Sequence, residues 1–276
     1  MENESMEIKK NITNLFNKVS AVFDSNGPKF FEYFGERLVE FAGVKEGEKV
    51  LDVAAGRGAS LFSSAEKVGQ SGKVIGIDIS EGMVNETNLE IQRRGVENAD
   101  VIVMDAEKLV FKNTTFEHIH CGFGIFFFPN YKIALDEFMR VLKNGGRLSF
   151  TTFLGKSDEK FMWLDELIDK YLPGFEDDPQ EENDPEFDTE EGLYEILKVA
   201  GFRNIRIICE EKTFNYKDEQ EWWDKLWTHG YIKILEMITK DRMEAFKTEV
   251  FDKLREIKES KGISATMFVL YALAEK

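Results

Sequence analysis

Short apolar runs alternate with longer amphipathic segments through the middle of this chain. The apolar runs have the length and composition of buried strands and lie near residues 49–53, 73–77, 100–104, 117–121 and 147–153. The intervening segments place apolar residues on one helical face, near residues 59–69, 81–94 and 131–142. Strands that alternate with helices are typical of a largely parallel sheet covered on both faces. The pattern therefore predicts a doubly wound α/β core.

The first part of the chain has the pattern of a helical cover. Residues 7–42 carry apolar groups at helical spacing, interrupted by a turn-forming run at 24–28, which predicts two helices. Phe30, Phe31 and Phe34 look exposed on these helices, and two interpretations stay open. The rings pair with a second copy in a homo-oligomer, or they pack on the core of their own chain in a monomer.

Two strands near the C-terminus, predicted over 203–209 and 266–273, are separated by a long segment. That segment, 212–263, has a helical pattern and is too long for a structureless connection, so we interpret it as an inserted lid. With a second insertion and the N-terminal helices, it would enclose a substrate. The predicted divisions are a helical cover (1–45), a core (46–155), an insertion contributing to the lid (156–188), a core continuation that begins with a helix (189–211), the helical lid (212–263) and a final core strand (264–276).

Charge and cysteine content narrow the classes of function. A net charge of −16 argues against a nucleic-acid partner, because such affinity depends on lysine and arginine replacing counterions. Much of the acidity lies in 176–191, which we interpret as a solvated loop. The absence of a membrane-length apolar run and the charged first residues predict a cytoplasmic protein without membrane association. Cys121 and Cys209 match no disulfide or metal framework and are predicted to be buried thiols, with no metal site.

A glycine turn after the first predicted strand carries the most informative chemistry. The run Val50–Gly58 predicts a strand and a tight turn, and the second strand ends in Asp78, placed to accept ribose hydroxyls. A dinucleotide-binding turn would have a third glycine where Leu61 stands. Asp52, at the entrance to the turn, would repel a diphosphate and attract an ammonium group. The pattern favours an adenosine cofactor with an amine over a nicotinamide cofactor.

This acid-then-glycines pattern resembles the first motif of the class I S-adenosylmethionine-dependent methyltransferases, with Ala54 where many members have the first glycine. Further segments resemble the family's later motifs in order: Ser80–Met83, Val103–Glu107, Cys121–Gly124 and Arg140–Phe150. Ordered motifs over about residues 20–155 are more specific than one glycine turn. The resemblance implies a Rossmann-like, doubly wound seven-stranded sheet with an antiparallel final strand. It also implies S-adenosylmethionine as cofactor and S-adenosylhomocysteine as product.

The resemblance also implies individual cofactor contacts. The implied residues are Asp52 at the methionine amine, Ala54, Gly56 and Gly58 in the turn, Asp78 at the ribose with Ile79 next to it in the cofactor site, Met83, Asp105 and Ala106 around adenine, and Phe123 along the methionine arm. Two alternatives stay open, since Asp52 could cap a helix and Asp105 could be a solvated turn residue. Arg57 could reach the cofactor carboxylate or a neighbouring acid, and the sequence does not choose between them.

The lid opens with a dense aromatic cluster. At helical spacing Trp223, Trp227 and Tyr231 share one face, and Phe127 follows the fourth strand toward the same space. Two interpretations remain: these rings hold the lid on the core, or they form a wall around a planar or largely apolar substrate.

Histidine is the side chain best suited to remove a proton near neutral pH. His229, in the lid, is therefore a candidate general base, with a packed or solvated histidine as the alternative. His118 and His120 alternate within the fourth strand and lack a third metal ligand, so we predict a structural role for both.

These features predict a small-molecule methyltransferase that acts by in-line displacement on an oxygen or carbon nucleophile of a bulky, partly apolar metabolite. The core resembles quinone-pathway C-methyltransferases and natural-product tailoring enzymes, and the long lid favours tailoring. Small-molecule N-methylation and a noncatalytic regulatory protein that binds S-adenosylmethionine remain as alternatives.

Overall fold

Seven strands form one sheet in the computed structural model, which describes residues 2–174 and 186–276. The strands are β1 (Lys49–Val53), β2 (Lys73–Asp78), β3 (Ala99–Val103), β4 (Phe116–Gly122), β5 (Leu142–Phe153), β6 (Arg203–Tyr216) and β7 (Ile263–Glu275). Their order in the sheet is β3-β2-β1-β4-β5-β7-β6. The first five strands pair in parallel, and β7 lies antiparallel between β5 and β6. The predicted α/β fold with an antiparallel final strand is confirmed.

Helices cover both faces of the sheet, and the side chains of β1 and β4 are buried on both sides. Leu51 and Ile119 face one helical layer, and Val50 faces the other. The layers contain α2 (Phe30–Ala42), α3 (Ala59–Val68) and α4 (Glu81–Arg94) on one face, and α5 (Tyr131–Val141) and α7 (Glu190–Val199) on the other. This arrangement brings the carboxyl ends of β1 to β4 to one edge, where ligands bind to open sheets.

A group of helices outside these two layers shares a hydrophobic core of its own, and we call this group the lid. It contains α6 (Trp163–Tyr171), α8 (Glu219–Leu226), α9 (Ile232–Met237) and α10 (Lys240–Ile257). Strand β6 continues to Tyr216, so the helical lid starts later than the predicted boundary at residue 212. The twelve pairings of β6 with β7, from Arg203 to Tyr216, explain the extension, because each added pair satisfies backbone groups of both strands.

The N-terminal cover consists of α1 (Glu2–Val19) and α2, joined by the predicted turn. Phe30 and Phe34 are buried in one cluster with Phe123 and Tyr271 of the same chain. Of the two interpretations of these rings, the structure therefore shows packing on the chain's own core.

One expectation about the two cysteines changes in the structure. Cys121 is buried, whereas Cys209 is exposed, so the prediction of two buried thiols is wrong for Cys209. The reason is that β6 is the edge strand of the sheet, and its side chains are less covered. A solvated loop is predicted at 176–191, and its residues 176–185 lie outside the described part of the chain.

Among the described helices, none combines the length and apolar character that crossing a membrane requires.

Candidate active site

A cleft opens at the carboxyl edge of the parallel strands, between the core, α1, α2 and the lid. The turn after β1 forms part of its wall, and three residues there adopt left-handed backbone conformations: Ala54 (φ 53°), Gly56 (φ 51°) and Gly58 (φ 83°). A Cβ on Gly56 would meet no described atom closer than the Ala54 carbonyl oxygen at 4.0 Å. Open space over the backbone here is what close approach of a ligand requires.

Asp78 lies at the end of β2 beside this turn. Its Oδ2 accepts a hydrogen bond from the Gly56 amide and its Oδ1 accepts one from the Ser80 amide, each at 2.9 Å. Burial raises the pKa of this carboxyl, and the two amides act against that change. The carboxylate lines the cleft in a fixed orientation, as recognition of ribose hydroxyls would need.

Asp52 lies fully buried behind the same turn. Its Oδ1 accepts from the Ser60 hydroxyl at 2.8 Å, and the Leu61 amide also favours its ionised form. Its Oδ2 has no hydrogen-bond partner within the described part of the chain. Burial raises the pKa of Asp52 to about 7, and the nearby charge of Asp78 adds to this effect. Contacts with Ser60 and Leu61 in the first turn of α3 correspond to the helix-capping alternative, and they leave Oδ2 available for a second role.

The residues implied for adenine also line the cleft, and they are Met83, Asp105 and Ala106. Ile79, directly after Asp78, lines it as well. Lys9 of α1 donates to Asp105 Oδ2 at 2.7 Å and to Glu107 Oε2 at 2.6 Å. Asp105 is therefore not a free solvated turn residue. No local pattern indicated Lys9, because it lies 96 residues away along the chain.

The C-terminal end of α1 is also tied to the cleft. Asn17 Oδ1 accepts from the Gly82 amide at 2.8 Å, at the start of α4. Arg57 donates to the Ser20 carbonyl oxygen at 2.5 Å and lies 3.4 Å from Glu86. Of the two roles open for Arg57, the structure shows contact with a neighbouring acid, and it adds a link to the turn after α1.

The remaining wall of the cleft is rich in phenylalanine. Phe123 stacks on Phe153 with ring centroids 4.6 Å apart, and Phe16 meets Phe127 edge to face at 5.3 Å. The cleft-lining phenylalanines are Phe16, Phe23, Phe30, Phe31, Phe62, Phe123, Phe126, Phe127, Phe128, Phe153 and Phe187. The sequence pattern indicated Phe123 and Phe127 but not Phe16 or Phe153. The helical spacing of the N-terminal segment is a signal that could have indicated Phe16.

The lid aromatics divide into two groups. Tyr231 lines the cleft, whereas Trp223 and Trp227 do not. Trp223 is buried against Phe246 and Phe251 of α10. Neither tryptophan therefore lies on the wall of this cleft, where the sequence pattern had placed them. Trp223 packs inside the lid because α10 offers it an apolar face, and Trp227 packs between Trp223 and the cluster of Val19, Met83 and Ile232.

His229 lines the cleft, with its ring 5.9 Å from Phe30 and 6.2 Å from Tyr231. Burial, followed by the positive charge of Lys225, lowers its pKa to about 3. The imidazole is therefore neutral at physiological pH and can accept a hydrogen bond, but it is a weak base. His118 and His120 are buried in the sheet, and the described residues contain no group of three metal ligands.

Comparison with known proteins adds independent evidence. Residues 3–172 match the model of the ubiE/COQ5 methyltransferase family. The chain belongs to this family. It is therefore a methyltransferase, with S-adenosylmethionine as methyl donor.

Relatives in this family act on different small molecules. Aklanonic acid methyltransferase DauC of Streptomyces sp. is 41% identical over 144 residues, or 52% of this chain and 66% of that protein. Nocamycin O-methyltransferase of Saccharothrix syringae is 26% identical over 93% of this chain and 95% of that protein. Demethylmenaquinone methyltransferase of Staphylococcus aureus is 28% identical over 72% of this chain and 88% of that protein. Among solved structures, the YcgJ protein from Bacillus subtilis shares the fold, with a TM-score of 0.58, 18% identity and coverage of 88% of this chain and 98% of that one.

The residues of the methyltransferase cleft fit the cofactor. The exposed backbone of Gly56 allows close approach, Asp78 is held as an acceptor, and Met83 with Ala106 forms an apolar surface. Asp52 is fully buried behind the turn and does not itself line the cleft, and its Oδ2 has no hydrogen-bond partner among the described residues.

Proposed function

We propose that this chain transfers a methyl group to an oxygen of a bulky, largely planar small molecule. The observation that carries the proposal is the phenylalanine wall beside the glycine turn, including the stacked pair Phe123 and Phe153. Flat apolar walls favour planar ligands through offset stacking and edge-to-face contacts. The match to an O-methyltransferase over 93% of this chain supports oxygen as the acceptor atom.

The bound donor supplies a methyl group on a positively charged sulfur. The contribution of the protein is to orient the acceptor and to exclude water, and orientation is worth about 7–11 kcal/mol at best. In the proposal Phe127 and Phe153 hold the plane of the acceptor, and Tyr231 closes the cleft from the lid side.

His229 is proposed to orient the acceptor rather than to deprotonate it. Because its pKa is about 3, it would remove a proton from a hydroxyl group inefficiently. An acceptor that is already ionised in water, such as a carboxylic acid or an acidic phenol, needs no base. The proposed substrates are therefore planar molecules with an acidic oxygen.

Radiolabelled S-adenosylmethionine with a panel of polycyclic phenols and carboxylic acids tests this proposal. We expect transfer of the label to acidic members of the panel, with esters identified by their hydrolysis in alkali. Phe153→Ala should raise the acceptor KM about tenfold and leave the affinity for S-adenosylhomocysteine unchanged. Phe268→Ala, at a half-buried phenylalanine outside the cleft, is the matched control and should change neither quantity. Label found on carbon or nitrogen would contradict the proposal.

A second candidate is transfer to carbon of a quinone precursor. The observation that favours it is the family match together with the demethylmenaquinone relative. The same assay separates the two candidates, because alkali releases the label from methyl esters and hot hydriodic acid releases it from methyl ethers, whereas a new carbon–carbon bond survives both treatments.

A further inference from the structure

A cluster of polar side chains is buried between the sheet and α3, directly behind the glycine turn. Its members are Asp52, Ser60, Ser64, His118, His120 and Ser149, each at most 4% exposed. Polar groups at such depth are nearly always hydrogen-bonded, because an unpartnered one costs about 1–3 kcal/mol. The cofactor site described above involves only Asp52 and its partner Ser60 from this cluster.

Two histidines share one serine in this cluster. The Ser149 hydroxyl lies 2.6 Å from His120 Nδ1 and 3.1 Å from His118 Nε2, and the two rings are 4.4 Å apart. A hydroxyl has one proton, and Ser149 can give it to either ring or, at 3.5 Å, to the Ile119 carbonyl oxygen. When that proton is donated in the shorter contact, to His120 Nδ1, the Nε2 atom of neutral His120 carries the ring proton and is a donor.

The donor on His120 and the free acceptor on Asp52 lie in the same row of the sheet. Asp52 pairs with His120, and His120 pairs with Ser149, across β1, β4 and β5. Residues paired in this way face the same side, on strands about 4.8 Å apart. Both His120 Nε2 and Asp52 Oδ2 lack a hydrogen-bond partner within the described residues.

We infer that His120 is a positioning residue. Its Nε2–H, held by Ser149, is directed through an internal water to Asp52 Oδ2. This contact keeps the Asp52 carboxylate ionised and oriented for the amine of the cofactor. This inference rests on the proposed role of Asp52 in the cofactor site.

The charges around Asp52 explain why such a donor is needed. Burial and the charge of Asp78 on β2 both disfavour the ionised carboxylate, and from α3 only the Ser60 hydroxyl and the Leu61 amide favour it. His120 on β4 is neutral, because burial and then the charge of Arg147 on β5 lower its pKa to about 3. Its contribution is therefore that of a dipole and not of a charge.

The affinity for S-adenosylhomocysteine, measured by calorimetry between pH 5.5 and 8.5, tests the inference. For the unmodified protein we expect the affinity to fall as the pH falls through the pKa of Asp52, near 7. His120→Leu should move this midpoint upward, and a one-unit shift weakens binding about fivefold at pH 7. His120→Gln, which places an amide N–H near the Nε2 position, should restore the midpoint.

His118→Leu is the matched control, since His118 also contacts Ser149 but pairs across the sheet with Val50 and not with Asp52. It should leave the midpoint unchanged, whereas a purely structural role would make both leucine variants behave alike. If His120→Leu does not fold, comparison of His120→Gln with the shorter His120→Asn replaces it, and equal midpoints for these two would overturn the inference.

Asp52→Asn separates failure of the inference from failure of the site. An unchanged affinity in Asp52→Asn would show that the proposed cofactor site is wrong. A weak and pH-independent affinity in Asp52→Asn, combined with an unshifted midpoint in His120→Leu, would leave the site in place and reject the role of His120.

Discussion

Ala54 and Gly124 meet at the floor of the glycine turn. Ala54 has a φ of 53°, a conformation that costs a residue with a Cβ about 1–2 kcal/mol. A Cβ on Gly124 would lie 2.5 Å from the Ala54 Cβ and 3.0 Å from Cys121 Sγ. The alanine that replaces the usual glycine therefore restricts position 124 to glycine.

Gly124→Ala should destabilise the protein by about 1–3 kcal/mol, because the new methyl group overpacks this contact. Urea unfolding measures the loss. Gly230→Ala, where a Cβ would meet nothing described within 4 Å, is the control and should change stability little. In an Ala54→Gly background the cost of Gly124→Ala should be smaller, and equal costs in both backgrounds would refute this explanation.

Helix α1 is held over the cleft in two different ways along its length. Its C-terminal half packs Phe16 and Val19 into an apolar cluster, and Asn17 there binds the start of α4. Its N-terminal half joins none of the described apolar clusters and is held by Lys9, which bridges Asp105 and Glu107. Polar contacts of this kind are weaker than apolar burial, so the N-terminal half can separate from the core before the rest of the chain unfolds.

Lys9→Met should release the N-terminal half of α1, because the two carboxylates lose their shared cation. The contribution of such a partly exposed pair is about 1 kcal/mol, and added salt should reduce it. Limited proteolysis of α1 should become several times faster in Lys9→Met. Exposed Lys10→Met is the control, and equal cleavage rates in the two variants would argue against the bridge.

Helix α8 is joined to the turn between α1 and α2 by an ion pair. Lys225 donates to Asp24 Oδ1 and, at 3.0 Å, to the Pro28 carbonyl oxygen, and both charged side chains are buried. This pair couples the lid to the N-terminal cover.

Lys225→Met should cost about 3–5 kcal/mol, since it leaves the Asp24 carboxylate buried without its partner. Adding Asp24→Asn should recover much of that loss, because asparagine is neutral and tolerates the left-handed conformation of residue 24 (φ 53°). Thermal unfolding of the two single variants and the double variant measures the coupling. Additive losses would contradict a direct interaction.

The whole molecule combines buried groups whose titrations oppose each other. Burial lowers the pKa of His120 and His229 to about 3 and that of His118 well below its usual value. As the pH falls from 6.5, the unfolded chain takes up protons at these sites and the folded chain does not, so stability falls. Asp52, with its pKa raised to about 7, acts in the opposite direction between pH 7 and 3.8.

His229→Leu should remove one of these contributions to the pH dependence of stability. Between pH 6 and 4 the free energy of unfolding should fall less steeply than in the unmodified protein, by about 1.4 kcal/mol per pH unit. Chemical unfolding at each pH gives both curves. Parallel curves would show that the folded protein protonates His229 as readily as the unfolded chain does.

Local sequence determined the order of the elements and the glycine turn. Strand and helix periodicities depend on short stretches of sequence, and the left-handed turn after β1 depends on neighbouring residues. Both were therefore predictable. The same holds for Asp78, Met83 and Ala106, which follow directly from strand ends and lie on the cleft.

Only the tertiary structure decided which distant residues meet. The bridge from Lys9 to Asp105, the stacking of Phe123 on Phe153 and the row that joins Asp52 to His120 depend on strand order and helix docking. Trp223 shows the same limit, because helical spacing defines a face but not the surface that covers it. Periodicity is a local property of a chain, whereas pairing across a sheet and packing between layers are set by the free energy of the whole fold.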